Sequence, residues 1–167
     1  MKLSVNNSSI LYALAFALFL PLTAQADYWR GPISEEYTPK TCDIGDTVIK
    51  TRCEGSYCDN SYLYCHDNNY GGIYKREWKN YISEEAGQNV RTCGDGIITG
   101  LAAKGRYSDY ISIECSYYTN HHTSNCSWTP YVSEEQGTLN YPNNKYATAV
   151  QCAGSYCDKE RFYVCNY

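Results

Sequence analysis

Several features are scarce or absent in this sequence, and each absence excludes a class of protein. No long apolar run follows residue 26, so we expect no transmembrane segment in the mature chain. The net charge is −4 and no block of lysine and arginine occurs, which argues against binding to nucleic acid or to anionic lipid. The cysteines and the three histidines show no zinc-ligand spacing such as C-x-x-C, so we expect no metal site of that kind.

Catalytic motifs are missing as well. No G-x-S-x-G nucleophile motif occurs, and no cysteine is expected to be free for a Cys–His pair. The acidic residues that look most chemical occur in three equivalent copies, whereas a catalytic centre is usually single and asymmetric. We therefore predict that the protein is not an enzyme and needs no cofactor.

The first 26 residues have the features of a secretory signal peptide. Lys2 precedes an apolar run from 10 to 22, and Ala24-Gln25-Ala26 forms a small-x-small cleavage pattern. We expect residues 27–167 to form a single domain that is secreted or periplasmic. All ten cysteines lie in this part, and an even number of them after a signal peptide predicts five disulfides.

The mature part consists of three copies of one unit, at about 28–72, 77–119 and 126–167. Trp29, Trp78 and Trp128 each stand five residues before the serine of a [Ile/Val]-Ser-Glu-Glu element. Each copy continues with a turn, a strand, a Gly-x-Tyr-x-Asp loop and a second strand. The first strands are predicted at 47–53, 97–103 and 146–152, and the second at 62–65, 110–115 and 162–165.

Comparison of the copies predicts the disulfide pairs. Ala103 and Ser108 replace, in the second copy, two cysteines that surround the loop in the other copies, and their joint loss indicates that those cysteines bond to each other. Cys126 is the cysteine left over, and by elimination it pairs with Cys165. The predicted pairs are Cys42–Cys65, Cys53–Cys58, Cys93–Cys115, Cys152–Cys157 and Cys126–Cys165.

The fold class predicted is all-β and disulfide-rich, because no sustained helical period occurs in the mature part. Three β repeats fit a pseudo-threefold β-prism with one antiparallel sheet for each repeat, and the alternative is a β-trefoil. The pattern W-x4-[IV]-SEE…CxGxYCD resembles cysteine-rich repeat modules of secreted bacterial proteins. It is also similar to the β-prism, lectin-like domains of bacterial perforin-like proteins. This resemblance implies a module that attaches to cell surfaces, often through glycans.

The repeated polar residues are the candidate binding residues. A loop tyrosine stacks well on a sugar ring, and a loop aspartate is suited to accept hydrogen bonds from sugar hydroxyls or to bind calcium. The first glutamate of each Ser-Glu-Glu element is a further candidate, although it also suits a contact that fixes the loop between repeats. We expect the tryptophans to be packed in the core or between repeats. The predicted ligand-binding residues are Tyr57, Asp59, Tyr107, Asp109, Tyr156, Asp158, Glu35, Glu84 and Glu134, with calcium a candidate ligand of Asp59, Asp109 and Asp158.

Two functions follow from this interpretation. The first is a secreted, lectin-like module that recognises cell-surface glycans through its repeated loops, with multivalency raising a weak affinity at each site. The alternative is a protein-binding factor, such as an inhibitor, an immunity protein or an accessory toxin subunit. Such a factor is expected to use the segments that the repeats do not share, 67–76 and 117–125.

Overall fold

The structure is a computed structural model that describes residues 26–68, 72–85 and 87–167. The predicted signal peptide lies outside these residues, apart from Ala26. The described part holds strands and short 3-10 turns, and no helix in it is long and apolar enough to cross a membrane. The strands are β1 (Tyr28–Ile33), β2 (Lys40–Thr41), β3 (Asp46–Glu54), β4 (Asn60–Asp67), β5 (Ile73–Trp78), β6 (Val90–Thr92), β7 (Ile97–Lys104), β8 (Tyr110–Tyr118), β9 (Ser124–Trp128), β10 (Thr138–Asn140), β11 (Lys145–Ala153) and β12 (Lys159–Asn166).

The strands form three four-stranded antiparallel sheets, one for each repeat. The first sheet has the order β1-β4-β3-β10, the second β5-β8-β7-β2 and the third β9-β12-β11-β6. Strands β3, β7 and β11 contact one another and surround the pseudo-threefold axis. The chain is therefore an all-β domain with the prism arrangement, rather than a trefoil. Its repeats begin with β1, β5 and β9, so the second begins at Ile73, slightly before the predicted boundary.

Each repeat contributes one short strand to the sheet of the next repeat. Strand β2 of the first repeat pairs with β7, β6 of the second pairs with β11, and β10 of the third returns to pair with β3. The exchange is cyclic, so every sheet is completed by a neighbour and one edge of each sheet is covered. A single repeat cannot form its own four-stranded sheet, so each of the three copies depends on another to complete its sheet.

A bulge in each central strand fixes the exchanged strand. The register shifts at Ile49, Thr99 and Thr148, and the extra residue leaves its carbonyl unpaired within the hairpin. That carbonyl accepts a hydrogen bond from the residue that follows the exchanged strand. These bonds run from Cys42 N to Thr99 O (2.7 Å), from Cys93 N to Thr148 O (2.7 Å) and from Tyr141 N to Ile49 O (3.1 Å).

The core follows from strand alternation. In β4, Leu63 and Cys65 are fully buried while the tyrosines between and beside them lie on the outer face of the sheet. Strand β12 follows the same alternation, whereas in β8 the outward residues Ser112, Glu114 and Ser116 are buried as well. The largest fully buried side chains are Phe162, Ile33, Leu63, Ile82, Ile97, Ile98, Leu101, Ile113, Val48, Val132, Val150 and Val164.

The structure contains the five predicted disulfides. Two of them join sheets. Cys42 follows an exchanged strand of the second sheet and bonds to Cys65 in the first, and Cys93 and Cys115 join the third sheet to the second in the same way. Since these bonds close loops of more than twenty residues, each contributes on the order of 3 kcal/mol to stability on the chain-entropy model.

One equivalence assumed in the repeat comparison is wrong. Cys165 is not the counterpart of Cys65, because Val164 occupies that inward position and Cys165 follows it. Neighbouring residues on a strand face opposite sides, so Cys165 belongs to the outer face. Its partner Cys126 lies on β9 of the same sheet. The third repeat has therefore lost both cysteines of the bond between sheets, with Tyr141 and Val164 in their places.

Candidate functional site

One end of the prism is closed by the three Gly-x-Tyr-x-Asp loops. Each loop forms a short 3-10 turn, at Ser56–Cys58, Arg106–Ser108 and Ser155–Cys157, and these turns contact one another around the axis. The tyrosines adopt left-handed backbone angles, with φ of 61°, 59° and 59° for Tyr57, Tyr107 and Tyr156. Their ring centroids lie 5.3–5.7 Å apart. The structure thus brings the three predicted tyrosines into one cluster rather than three separate sites.

The loop aspartates follow directly after these turns. Asp59, Asp109 and Asp158 end the 3-10 turns, and each carboxylate folds back over the glycine that begins its loop. The Oδ1 atoms of Asp109 and Asp158 are buried and have no hydrogen-bond partner among the described residues. Burial raises the pKa of both carboxyls, and the neighbouring glutamates add to the shift at Asp109. These aspartates are less accessible than their loop position suggests.

The Ser-Glu-Glu elements connect successive repeats. They lie in turns rather than in strands, and the first glutamate of each element reaches the loop of the next repeat. Glu35 accepts hydrogen bonds from Tyr107 N (3.2 Å) and from Ser108 Oγ (2.9 Å). Glu84 accepts one from Cys157 N (3.2 Å), and Glu134 accepts one from Cys58 N (3.4 Å). The three predicted glutamates therefore form a cyclic clasp, and this contact occupies them in the described structure.

The second repeat keeps the contacts between loops although it lacks the disulfide within its own loop. Ser108, at the position of Cys58 and Cys157, donates to Glu35 and lies 3.0 Å from the carbonyl oxygen of Asp59. The two cysteines place their sulfur atoms 3.1–3.2 Å from the corresponding carbonyl oxygens of neighbouring repeats. The ring of contacts around the axis is thus complete in all repeats.

The acidic end does not present a ready-made cation site. Among the described residues, the one group of three ligand-type side chains with close ligand atoms is Glu84, Cys152 and Cys157, and both cysteines are bonded to each other. In the third repeat Glu134, Glu135 and Asp158 line a cleft of about 190 Å³ that also contains Lys159. Calcium at the loop aspartates would require their oxygens to move closer together.

The three tryptophans lie on the surface of the prism. The expectation that they are packed in the core is wrong, because Trp29, Trp78 and Trp128 are 38%, 41% and 37% exposed. Each stands on an edge strand of a different sheet and pairs across the strand with an outward residue, Tyr64, Glu114 or Tyr163. The prism therefore displays one equivalent indole on each outer face.

A cation lies beside the indole on two of these faces. On the first face the guanidinium of Arg52 is 4.8 Å from the ring of Trp29, and Tyr64 packs on that ring with a centroid distance of 5.0 Å. On the third face Arg161 is 4.8 Å from Trp128. Arg52 comes from β3 but Arg161 comes from β12, so the same arrangement is reached from different strands.

The second face has a different polar group next to its tryptophan. Arg76 and Glu114 form an ion pair, and Glu114 is also 3.2 Å from the hydroxyl of Thr99. The signal for these outward faces is present in the sequence. Cysteines that join sheets must point inward, so Tyr64, next to Cys65, must point outward together with the residue that pairs with it.

The fold and its surfaces define a disulfide-rich all-β domain with pseudo-threefold symmetry. Five disulfides are typical of proteins that fold in an oxidising compartment. Comparison with known protein families, with curated proteins and with solved structures gives no match.

Proposed function

We propose that this protein is a secreted, lectin-like module that binds cell-surface glycans through its three outer faces. The observation that carries the proposal is the exposed tryptophan at the same position of every sheet. A half-exposed indole supplies a rigid apolar surface for a sugar ring, and polar groups beside it supply hydrogen bonds to hydroxyls.

The contacts around each indole support this role. Arg52 and Arg161 keep donor groups next to Trp29 and Trp128, and both guanidinium groups also lie against tyrosines, 4.4 Å from Tyr62 and 4.7 Å from Tyr131. Aromatic contacts on both sides hold each guanidinium in a fixed position, so little side-chain entropy is lost on binding. Three such faces on one rigid domain favour avidity toward a surface with many copies of the ligand.

Features typical of exported proteins support the same function. The signal-like first residues and the five disulfides suit a protein that acts outside the cytoplasm, in the periplasm or beyond the cell. The resemblance to lectin-like prism modules of secreted bacterial proteins points in the same direction. The proposal assigns no catalytic residue, since the repeated glutamates serve contacts between repeats.

The axial loop end is the second candidate surface for glycans. Tyr57 is 43% exposed there, and the predicted loop residues surround it. Two sets of variants on a glycan array distinguish the surfaces. We expect the combined change Trp29→Ala, Trp78→Ala and Trp128→Ala to abolish binding, while Asp59→Asn, Asp109→Asn and Asp158→Asn together preserve it.

Thermal unfolding of both variants serves as the control for folding. Wild-type arrays without any signal, with and without calcium, would reject the proposal. Loss of binding in the aspartate variant but not in the tryptophan variant would indicate that the glycan site lies at the axial end.

A protein partner is the alternative, and one observation favours it. Tyr74 belongs to the segment 67–76 and is 66% exposed on β5. Its ring centroid lies 6.1 Å from that of Tyr117, which begins the segment 117–125. The two segments predicted for a protein-binding role therefore meet on the second face. Capture of one defined protein, lost on Tyr74→Ala but kept in the tryptophan variant, would support this function.

A further inference from the structure

A cleft lies at the junction of the third and first repeats, where the symmetry of the prism fails. Strand β10 leaves the first sheet here and the chain continues into β11 of the third sheet. At the other two junctions the residue after the exchanged strand is a disulfide-bonded cysteine, whereas here it is Tyr141. The cleft has a volume of about 400 Å³, which suits one or two sugar rings.

The lining of this cleft is basic and rich in amides, in a protein whose net charge is −4. No aspartate or glutamate of the described residues lines it. The corresponding turns of the other repeats carry Asp43, Asp46 and Asp95, so the third repeat has exchanged acids for neutral and basic residues. The polar lining residues are Lys50, His66, Asn140, Asn143, Asn144 and Lys145.

The two lysines of the cleft are positioned by contacts other than ion pairs. Lys145 Nζ donates to the carbonyl oxygen of Asn125 (2.7 Å) and to Ser127 Oγ (3.2 Å), which leaves one of its three hydrogens for a ligand. Lys50 Nζ lies 4.6 Å from the ring centroid of Tyr64. Within the described part of the chain neither ammonium has a carboxylate within 4.0 Å. His66 Nδ1 lies 2.7 Å from Asp27 Oδ1, which orients the ring.

We propose that this cleft binds a small hydroxylated carboxylate, the chemistry of a hexuronic acid residue. The two ammonium groups attract the carboxylate, and the asparagine amides supply both donors and acceptors for hydroxyls. The site is single because the turn 142–145 differs from its counterparts. None of the three tryptophans lines it, so the cleft can be tested apart from the glycan faces.

Calorimetric titration of the protein with D-galacturonate, D-galactose and sulfate tests the proposal. We expect galacturonate to bind at least about tenfold more tightly than galactose or sulfate, since loss of either the charge or the hydroxyls removes charge-assisted or neutral hydrogen bonds. The double change Lys50→Gln and Lys145→Gln is expected to weaken the binding of galacturonate by about tenfold or more. Lys104→Gln is the matched control, because Lys104 lies over Tyr81 on another part of the surface.

A second variant avoids the structural hydrogen bonds of Lys145. Asn143→Asp keeps the shape of an exposed turn residue and adds a negative charge, and it should abolish galacturonate binding without lowering the melting temperature. Equal affinity for galactose, equal affinity for sulfate, or undiminished binding by the Asn143→Asp variant would each overturn the proposal. The triple tryptophan variant should bind galacturonate normally, so failure of the glycan-face proposal is distinguishable from failure here.

Discussion

The ring of Tyr141 packs against the ring of Phe162 with a centroid distance of 5.7 Å, at the place where the other repeats have a disulfide between sheets. Tyr141 is buried, and burial raises the pKa of its phenol well above the usual value. Val164 fills the second cysteine position and is fully buried. An apolar contact therefore joins the third sheet to the first, while covalent bonds join the other pairs of sheets.

Restoring this bond tests the equivalence of the three junctions. The double change Tyr141→Cys and Val164→Cys should form a disulfide, because it recreates the arrangement of Cys42 and Cys65 with the same separation of 23 residues. We expect the oxidised variant to gain about 3 kcal/mol on the chain-entropy model, less the cost of replacing a buried tyrosine. Urea unfolding and non-reducing peptide mapping measure the two effects. Two free thiols at 141 and 164 in the folded variant would contradict the equivalence.

The loop glycines provide a second prediction. A Cβ atom at Gly105 would lie 2.0 Å from Asp109 Oδ1, and φ there is +80° with ψ of 174°. Because this backbone conformation is nearly exclusive to glycine, Gly105→Ala should lower the free energy of unfolding by about 3 kcal/mol or more. Gly94→Ala is the matched control, since φ is +64° there but nothing lies within 4 Å of the added atom. It should cost about 1–2 kcal/mol, and equal losses would show that the contact with Asp109 is unimportant.

Much of the fold was predictable because the repeats act as internal comparisons. The joint loss of cysteine at Ala103 and Ser108 identified the inner disulfides, and the Gly-x-Tyr loops separated the two long strands of every hairpin. The exchanged strands were not predictable, because β2, β6 and β10 have only two or three residues and so show no periodicity.

The displaced position of Cys165 is visible in its spacing from the loop aspartate. Cys65 and Cys115 follow the loop aspartate by six residues, but Cys165 follows Asp158 by seven. One extra residue on a strand reverses the side on which a side chain lies. The repetition placed the candidate loop residues in equivalent loops, and the structure brings these loops together at one end of the prism. Their mutual contacts across repeats could not be predicted, since they depend on how separate sheets meet at the axis.

The clasp between repeats gives a third prediction. Glu35→Ala removes the acceptor of two hydrogen bonds from the second loop and should lower the free energy of unfolding by about 1–2 kcal/mol. Glu36→Ala, one residue later, is the matched control and should change it by less than about 0.5 kcal/mol, because the Glu36 backbone N–H keeps its bond to Ser34 Oγ. Urea denaturation measures both. Similar effects of the two changes would mean that the clasp does not stabilise the axial end.

Glu160 links stability to pH through its position in the core. The side chain is 4% exposed on β12, and burial raises the pKa of its carboxyl to about 7, with a hydrogen bond from Ser61 (3.4 Å) opposing the shift. A carboxyl with a raised pKa binds more protons in the folded state than in the unfolded state between these two pKa values.

The free energy of unfolding should therefore contain a contribution from Glu160 that is complete below about pH 4.5, decreases as the pH rises and is lost above about pH 7. The shift corresponds to about 3 kcal/mol. Urea denaturation from acidic to neutral pH should show this decline in the wild type. Glu160→Gln removes the ionisable group and should be less sensitive to pH, while the raised pKa values of Asp46, Asp109 and Asp158 act equally in both proteins. Parallel pH profiles for the two proteins would show that Glu160 ionises as readily in the folded chain as in the unfolded one.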